Sequence, residues 1–177
     1  MPATPGYMSY RIVQSYYEDL TKSLDVSAVG RLWSTILNLY FTVAEDFGVE
    51  VQPRPNKMAN DVNISHVHHA SNKGEVLYLL ETGHVEFEGQ KGVWTDTVLQ
   101  LAEYMAMQRK VTDQTEENAY GVVTVGRYSH FFIMEGGQDS LAGYPGTDDD
   151  YHFEFKKDEG AIIDILLQIK ATVSRAV

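Results

Sequence analysis

The sequence contains no cysteine and has far fewer basic than acidic residues. Without cysteine, the chain has no disulfide bond, no thiolate ligand for zinc or an iron–sulfur cluster, and no cysteine nucleophile. It has 14 lysines and arginines against 25 aspartates and glutamates, which gives a formal net charge of −11 at pH 7. The average field of such a chain repels phosphate backbones. Nucleic acid is therefore a candidate partner that the charge disfavours, and a protein partner stays open.

The sequence also lacks an apolar run of membrane-spanning length and a basic start followed by an apolar signal segment. We therefore expect no membrane partner and an intracellular location, cytoplasmic or nuclear. Hydrophobic residues make up 44% of the 177 residues and include 11 Tyr and 7 Phe, which is typical of a packed globule. The length fits one domain over residues 1–177, and the oligomeric state stays open.

Hydrophobic periodicity predicts helices alternating with strands. The predicted helices cover residues 7–24, 27–48, 94–109 and 162–173. The predicted strands cover residues 49–52, 61–67, 76–80, 119–134 as a hairpin turning at Gly126–Arg127, and 152–155. Residues 136–150 predict a long exposed loop whose run Asp148–Asp150 is a solvated face. This order predicts an α/β fold in which a mixed central sheet carries flanking helices.

Four polar residues in these elements are candidates for a functional site. Asp61 opens the second predicted strand, Glu81 ends the third, and Gln100 and Tyr104 lie four residues apart on the next helix, so they share one helix face. In this pattern residues 27–134 resemble the PD-(D/E)XK, or restriction-endonuclease-like, nuclease superfamily, and especially its degenerate fungal-type members. The resemblance implies an αβββαβ core with an extra helix at each end of the chain.

The resemblance also implies a chemistry for these residues. In that superfamily the two acids hold Mg²⁺ through hard oxygen ligands, and the metal activates a water for phosphodiester hydrolysis. Asp61 and Glu81 would therefore be the metal ligands and Mg²⁺ the cofactor. Gln100 and Tyr104 correspond to the Gln-x-x-x-Tyr pair of the exonuclease branch, which would face the carboxylates or a phosphate. Glu45 is a further candidate acid.

The lysine that should follow two positions after the second acid is absent, because Gly83 stands there. Side chains alternate along a strand, so a lysine at this position would share the face of Glu81. Losing a cation at a centre of developing charge removes about 3 kcal/mol or more of transition-state stabilisation. We therefore predict a catalytically impaired domain, a pseudoenzyme acting as a binding or regulatory module. The alternative is an active Mg²⁺-dependent nuclease with a migrated lysine. The local cations for that role are Lys73, Lys91, Arg109 and Lys110.

A second alternative comes from a cluster of histidines. His66, His68 and His69 lie within four residues, and with Glu75 they superficially resemble the first cupin motif, in which His-x-His and Glu hold a metal inside a β-barrel. The gap between His68 and Glu75 is longer than the cupin pattern, and a predicted helix follows where a barrel would continue. A cupin-like metalloenzyme is thus an alternative, and packing histidines are the simpler interpretation.

Overall fold

The computed structural model describes residues 5–22, 27–53, 63–72, 74–82 and 85–174. The helices are α1 (Arg11–Lys22), α2 (Ser27–Tyr40), α3 (Lys91–Val111) and α4 (Glu159–Ser174). The strands are β1 (Phe47–Pro53), β2 (Asn63–His69), β3 (Glu75–Thr82), β4 (Ala119–Val125), β5 (Tyr128–Met134), β6 (Ala142–Gly143) and β7 (Phe153–Glu154). Short 3₁₀ helices cover Tyr7–Ser9, Val43–Glu45 and Val85–Phe87.

The seven strands form one mixed sheet in which β1 to β6 follow each other in chain order and β7 also pairs with β5. Strands β1, β2 and β3 are antiparallel neighbours, β3 and β4 are parallel, and β4 and β5 form an antiparallel hairpin. Parallel neighbours need a crossover connection, and α3 supplies it. The predicted α/β fold, with a mixed central sheet and flanking helices, is confirmed.

The two faces of the sheet carry separate hydrophobic cores, because successive side chains of a strand point to opposite sides. Leu77 and Leu79 of β3 pack in a core that also contains residues of α1, α2 and α4. Tyr78 and Leu80 of the same strand pack in a second core with α3. We call these sides the α2 face and the α3 face. The assignment of each polar residue to one of them decides which residues can share a site.

Helix α2 ends at Tyr40 and not near residue 48, so the predicted helix was too long. The chain leaves the helix through a 3₁₀ turn, and Asp46 adopts the left-handed φ of 63° before β1 begins. Phe41 and Phe47 contact each other edge to face across this break, with ring centroids 5.3 Å apart. The apolar pattern therefore continues through a change of secondary structure, and periodicity alone cannot locate the break. Val43, which the pattern places on the buried stripe, is 82% exposed.

The hairpin turn at Gly126–Arg127 is confirmed, and Gly126 has the positive φ of 58° that favours glycine. The loop predicted over residues 136–150 contains the two-residue strand β6, which pairs with β5. Within the part of the chain that the structure describes, no helix combines the length and the apolar character needed to cross a bilayer.

Candidate functional site

Glu81 lies near the end of β3 on the α2 face, facing helix α2. Only 4% of the residue is exposed, and among the described residues neither carboxylate oxygen has a hydrogen-bond partner. A Cβ atom at Gly30 of α2 would lie 2.9 Å from Oε1, so the glycine leaves the room that the carboxyl group occupies. The fold thus places an acid in a nearly dry environment under a helix.

Burial raises the pKa of Glu81 to about 7, since the ionised form loses its hydration. Among the described residues, no neighbouring charge contributes to this shift. Nearby cations, or hydrogen-bond donors to the carboxylate, would have the opposite effect and lower the pKa of the carboxyl group. At neutral pH a large fraction of the molecules therefore carries a neutral Glu81.

Glu81 lines a cavity of about 380 Å³ on the α2 face. The described residues that line it are Tyr16, Ser27, Gly30, Arg31, Ser34, Thr35, Val51 and Glu81. Arg31 is the cation of this set: its Nη1 donates to Ser27 Oγ at 2.6 Å, its Nη2 lies 3.8 Å from Asp19, and its guanidinium lies 5.5 Å from the ring centroid of Tyr16. These contacts direct Arg31 toward α1 and the start of α2, and Glu81 receives no hydrogen bond from it.

Of the remaining predicted members of the site, those that the structure describes do not gather around Glu81. Asp61 and Gly83 lie outside the described residues. Helix α3 packs on the opposite face of the sheet, where the Tyr104 hydroxyl lies 3.0 Å from Nε2 of His66. Gln100 lies one turn earlier on the same helix. The structure therefore separates Gln100 and Tyr104 from Glu81 by the thickness of the sheet.

The predicted further acid, Glu45, also lies elsewhere. It belongs to the 3₁₀ turn after α2 and not to the long helix, and it pairs with Lys170 of α4 and with the hydroxyl of Thr42. These contacts lower the pKa of the Glu45 carboxyl. Glu45 is therefore a surface ion-pair residue, and the expectation that it joins the acidic cluster was wrong.

Three of the four cations considered for a migrated lysine are described, and each has another position or other contacts. Lys73 lies outside the described residues. Lys91 lines a cavity on the α3 face, and Lys110 pairs with Asp139 at the surface. Arg109 is 3% exposed and donates to backbone carbonyls of the segments 114–117 and 135–138. Arg109 thus fastens two loops to the end of α3, and none of the three described cations lies beside Glu81.

The histidine cluster is brought together with its candidate third ligand. Nδ1 of His66 lies 3.6 Å from one oxygen of Glu75, and Nδ1 of His68 lies 3.9 Å from the other. However, the described strands form an open sheet in which β1 pairs with β2 alone, and not a closed barrel. No three acidic or histidine side chains of the described residues are arranged to hold a metal ion.

A second cavity, of about 590 Å³, lies on the α3 face and was missed in the sequence. His152 stacks on Trp94 with ring centroids 3.8 Å apart, and the ring of His130 lies 5.3 Å from that of His152. The signal that the sequence offered for this cavity was His130, a histidine inside the apolar strand 128–134. Its partners come from α3 and from a loop some twenty residues later, so tertiary packing alone joins them. The residues Asp149 and Asp150, predicted as a solvated face, also line this cavity.

Comparisons of the chain with known protein families, with curated proteins and with solved structures find no match. A function for this chain is therefore inferred from the geometry of the two cavities.

Proposed function

We propose that this chain is a nuclease-like α/β domain of impaired catalytic power that serves as a binding module. The order of elements from α2 through β1, β2, β3 and α3 to β4 is helix, three strands, helix, strand, which supports the resemblance. Glu81 ends the third of those strands, as the pattern requires. The environment of Glu81 supports the loss of catalysis.

The single observation that carries the proposal is the isolation of Glu81 among the described residues. Metal-assisted hydrolysis needs ionised carboxylates to hold the cation and a positive group to steady the developing charge. Glu81 instead has a pKa of about 7, which burial raises and which no charge of the described residues lowers. The position two residues later is a glycine, which has no side chain to supply an ammonium group. The cavity therefore stabilises the neutral form of the Glu81 carboxyl group, and metal-assisted hydrolysis would need the ionised form.

Mg²⁺ fits this cavity incompletely. Glu81 offers two oxygens without hydrogen-bond partners, which are the hard donors that Mg²⁺ prefers. It is the one carboxylate among the described residues that line the cavity. A second carboxylate would have to come from Asp61. The described residues alone do not make a magnesium site, and we derive no catalytic step through one.

One observation favours the second candidate, an active Mg²⁺-dependent nuclease. A buried carboxyl group with a shifted pKa at the edge of a cavity is typical of catalytic sites as well as of structural ones. In that case Glu81 would be ionised by the metal, and its loss would abolish turnover.

A hydrolysis assay separates the two candidates. The purified chain is incubated with single-stranded and duplex DNA and with RNA, in Mg²⁺ or Mn²⁺, beside Glu81→Gln and Glu50→Gln. Glu50 lies on β1 and is exposed, so its variant is a matched control for the loss of one charge. We expect no cleavage above the level of Glu81→Gln. Metal-dependent cleavage that Glu81→Gln loses and Glu50→Gln keeps would establish the nuclease and overturn the proposal.

A further inference from the structure

The cavity on the α3 face has the size and lining of a small-molecule site. Its volume of about 590 Å³ lies within the usual range for ligand pockets, and most of such a lining is apolar with a few convergent polar groups. Trp94, Val98 and Leu99 of α3 and Phe132 of β5 provide the apolar walls. The polar groups come from the imidazoles of His130 and His152, from Asp149 and Asp150, and from Lys91.

One polar atom of this cavity is buried without a partner. His130 is 6% exposed, and among the described residues its Nε2 has no hydrogen-bond partner. Burial, followed by the effect of the neighbouring His152, lowers the pKa of His130 to about 4, so the ring is neutral at pH 7. In one tautomer Nε2 of a neutral imidazole accepts a hydrogen bond. Its burial without a bond costs desolvation free energy that a ligand donor would return.

The charges around the cavity favour a cation. Asp149 and Asp150 contribute two negative charges and Lys91 one positive charge. Glu88, which also lines the cavity, is neutralised by the guanidinium of Arg127, which donates to its two oxygens at 3.0 and 2.8 Å. With both histidines neutral, the lining keeps one net negative charge. An anionic ligand would therefore meet repulsion, and a cationic ligand attraction.

The shape of the lining selects a flat ligand. The Trp94 and His152 rings stack on each other with centroids 3.8 Å apart and an interplanar angle of 15°, so no ligand fits between them, and both residues line the cavity as one flat aromatic pair. Planar cations such as guanidinium and amidinium groups stack on aromatic rings and donate two parallel hydrogen bonds to a carboxylate. These cations carry hydrogen-bond donors and no acceptors. The carboxylates of Asp149 and Asp150 and Nε2 of His130 can accept such hydrogen bonds. A spherical ammonium group would use the ring faces less well.

We propose that this cavity binds a small planar organic cation, an aryl group bearing an amidinium or guanidinium head. The head would lie between Asp149, Asp150 and His130, and the aryl group against Trp94 and Leu99. Because Nε2 of His130 is buried, the ligand reaches it only when a neighbouring side chain moves, and the ring of His152, 5.3 Å away in the same lining, is such a neighbour. The site lies on the opposite face of the sheet from Glu81, so it stands whether or not Glu81 is catalytic, and it gives the binding role a ligand class.

Benzamidine is the probe, with neutral benzamide and anionic benzoate as shape-matched controls on the wild-type chain. Isothermal titration or chemical-shift titration near pH 7 should give a dissociation constant below about 1 mM for benzamidine, as fits nine heavy atoms. Benzamide should bind at least about 10-fold more weakly, and benzoate should show no saturable binding. This comparison needs no variant, so it does not depend on any substitution being tolerated.

Variants then locate the site. The double variant Asp149→Asn with Asp150→Asn should weaken benzamidine binding by at least about 10-fold, and His130→Phe by about 5-fold. Asp96→Asn is the matched control, since Asp96 is exposed on α3 and does not line the cavity, and it should bind as the wild type does. Acetyl-arginine amide tests the source of the cation: weaker binding than benzamidine supports the aryl ligand, and tighter binding overturns it in favour of an arginine side chain.

Besides tighter binding of acetyl-arginine amide, three results would overturn the proposal: no saturable binding of benzamidine up to about 10 mM, equal affinity for benzamide, or unchanged affinity in the double variant. None of these results bears on the hydrolysis assay with Glu81→Gln. The two proposals therefore fail separately.

Discussion

At the scale of single residues, Glu81 and His130 show the same physics on opposite faces of the sheet. Both are buried, and among the described residues Nε2 of His130 and both oxygens of Glu81 have no hydrogen-bond partner. Burial disfavours the charged form of each group, which raises the pKa of Glu81 to about 7 and lowers that of His130 to about 4. Each of these unpartnered buried groups lowers the stability of the fold, and each lies beside a cavity. A ligand that binds there and forms a hydrogen bond with the group would offset that cost.

Glu81 should make the stability of the protein depend on pH. Its folded pKa of about 7 lies above the ordinary value of 4.5, so between these values the folded chain binds more protons than the unfolded chain. The free energy of unfolding therefore falls as the pH rises through this window. Below about pH 4.5 the carboxyl group is neutral in both states and the penalty is absent. Above about pH 7 the penalty is complete, at about 3 kcal/mol.

Glu81→Gln keeps the shape and removes the ionisation, so it should be more stable than the wild type by about 2–3 kcal/mol near pH 8 and nearly equal to it near pH 4.5. Urea unfolding at the two pH values measures this difference. Glu50→Gln, at an exposed site, serves as the control and should show no such divergence. Equal stability of wild type and Glu81→Gln near pH 8 would mean that a bound cation or an unseen donor compensates the carboxylate.

At the scale of secondary structure, helix α3 makes contacts with distinct roles along its length. Its first half provides Trp94, Val98 and Leu99 to the cavity. Its second half packs Tyr104 edge-on against His66 and Tyr78 and ends at Arg109, which binds two loops. The helix therefore presents a ligand surface at one end and a structural anchor at the other. The resemblance had assigned the Gln100 and Tyr104 pair to catalysis instead.

Tyr104→Phe tests that assignment. The variant removes the hydroxyl that lies 3.0 Å from Nε2 of His66 and keeps the ring packing. We expect a loss of about 1 kcal/mol in the free energy of unfolding, the usual value of one partly buried hydrogen bond. Tyr10→Phe, at an exposed tyrosine, should change stability by less than about 0.5 kcal/mol. A normal stability of Tyr104→Phe together with a lost activity would restore a catalytic role.

The elements and their faces were predictable to different degrees. Alternation and helical periodicity were enough for the α/β class, for strand β3 as a central strand and for the hairpin at Gly126–Arg127, because these signals are local. The end of α2 was not predictable from the sequence, since Phe41 and Phe47 continue the apolar pattern through the break. The spacing of Gln100 and Tyr104 fixes that they share a helix face. It does not fix which face of the sheet the helix covers, because that depends on strand order and crossover geometry.

At the scale of the whole molecule, the acidic surplus pairs with half of the described lysines and arginines. Five of the ten described lysines and arginines pair with carboxylates: Lys22, Arg31, Lys110, Arg127 and Lys170. Arg109 is buried among backbone carbonyls. Binding of a phosphate backbone needs several cations on one surface that are not already paired, and these six residues do not form such a surface. With a net charge of −11, the molecule as a whole repels nucleic acid.

We therefore predict weak affinity for nucleic acid even where no cleavage is involved. In fluorescence anisotropy at about 50 mM NaCl, a labelled duplex and a labelled single strand should bind with dissociation constants weaker than about 100 μM, at the weak end of nonspecific binding. Any residual binding should fall as salt is added, because it can come only from screened charge contacts. Binding tighter than about 1 μM, or binding that salt does not weaken, would require a specific basic surface or stacking contacts. In that case the chain would be a nucleic-acid binder, and the proposed cation site in the cavity on the α3 face would be secondary to that role.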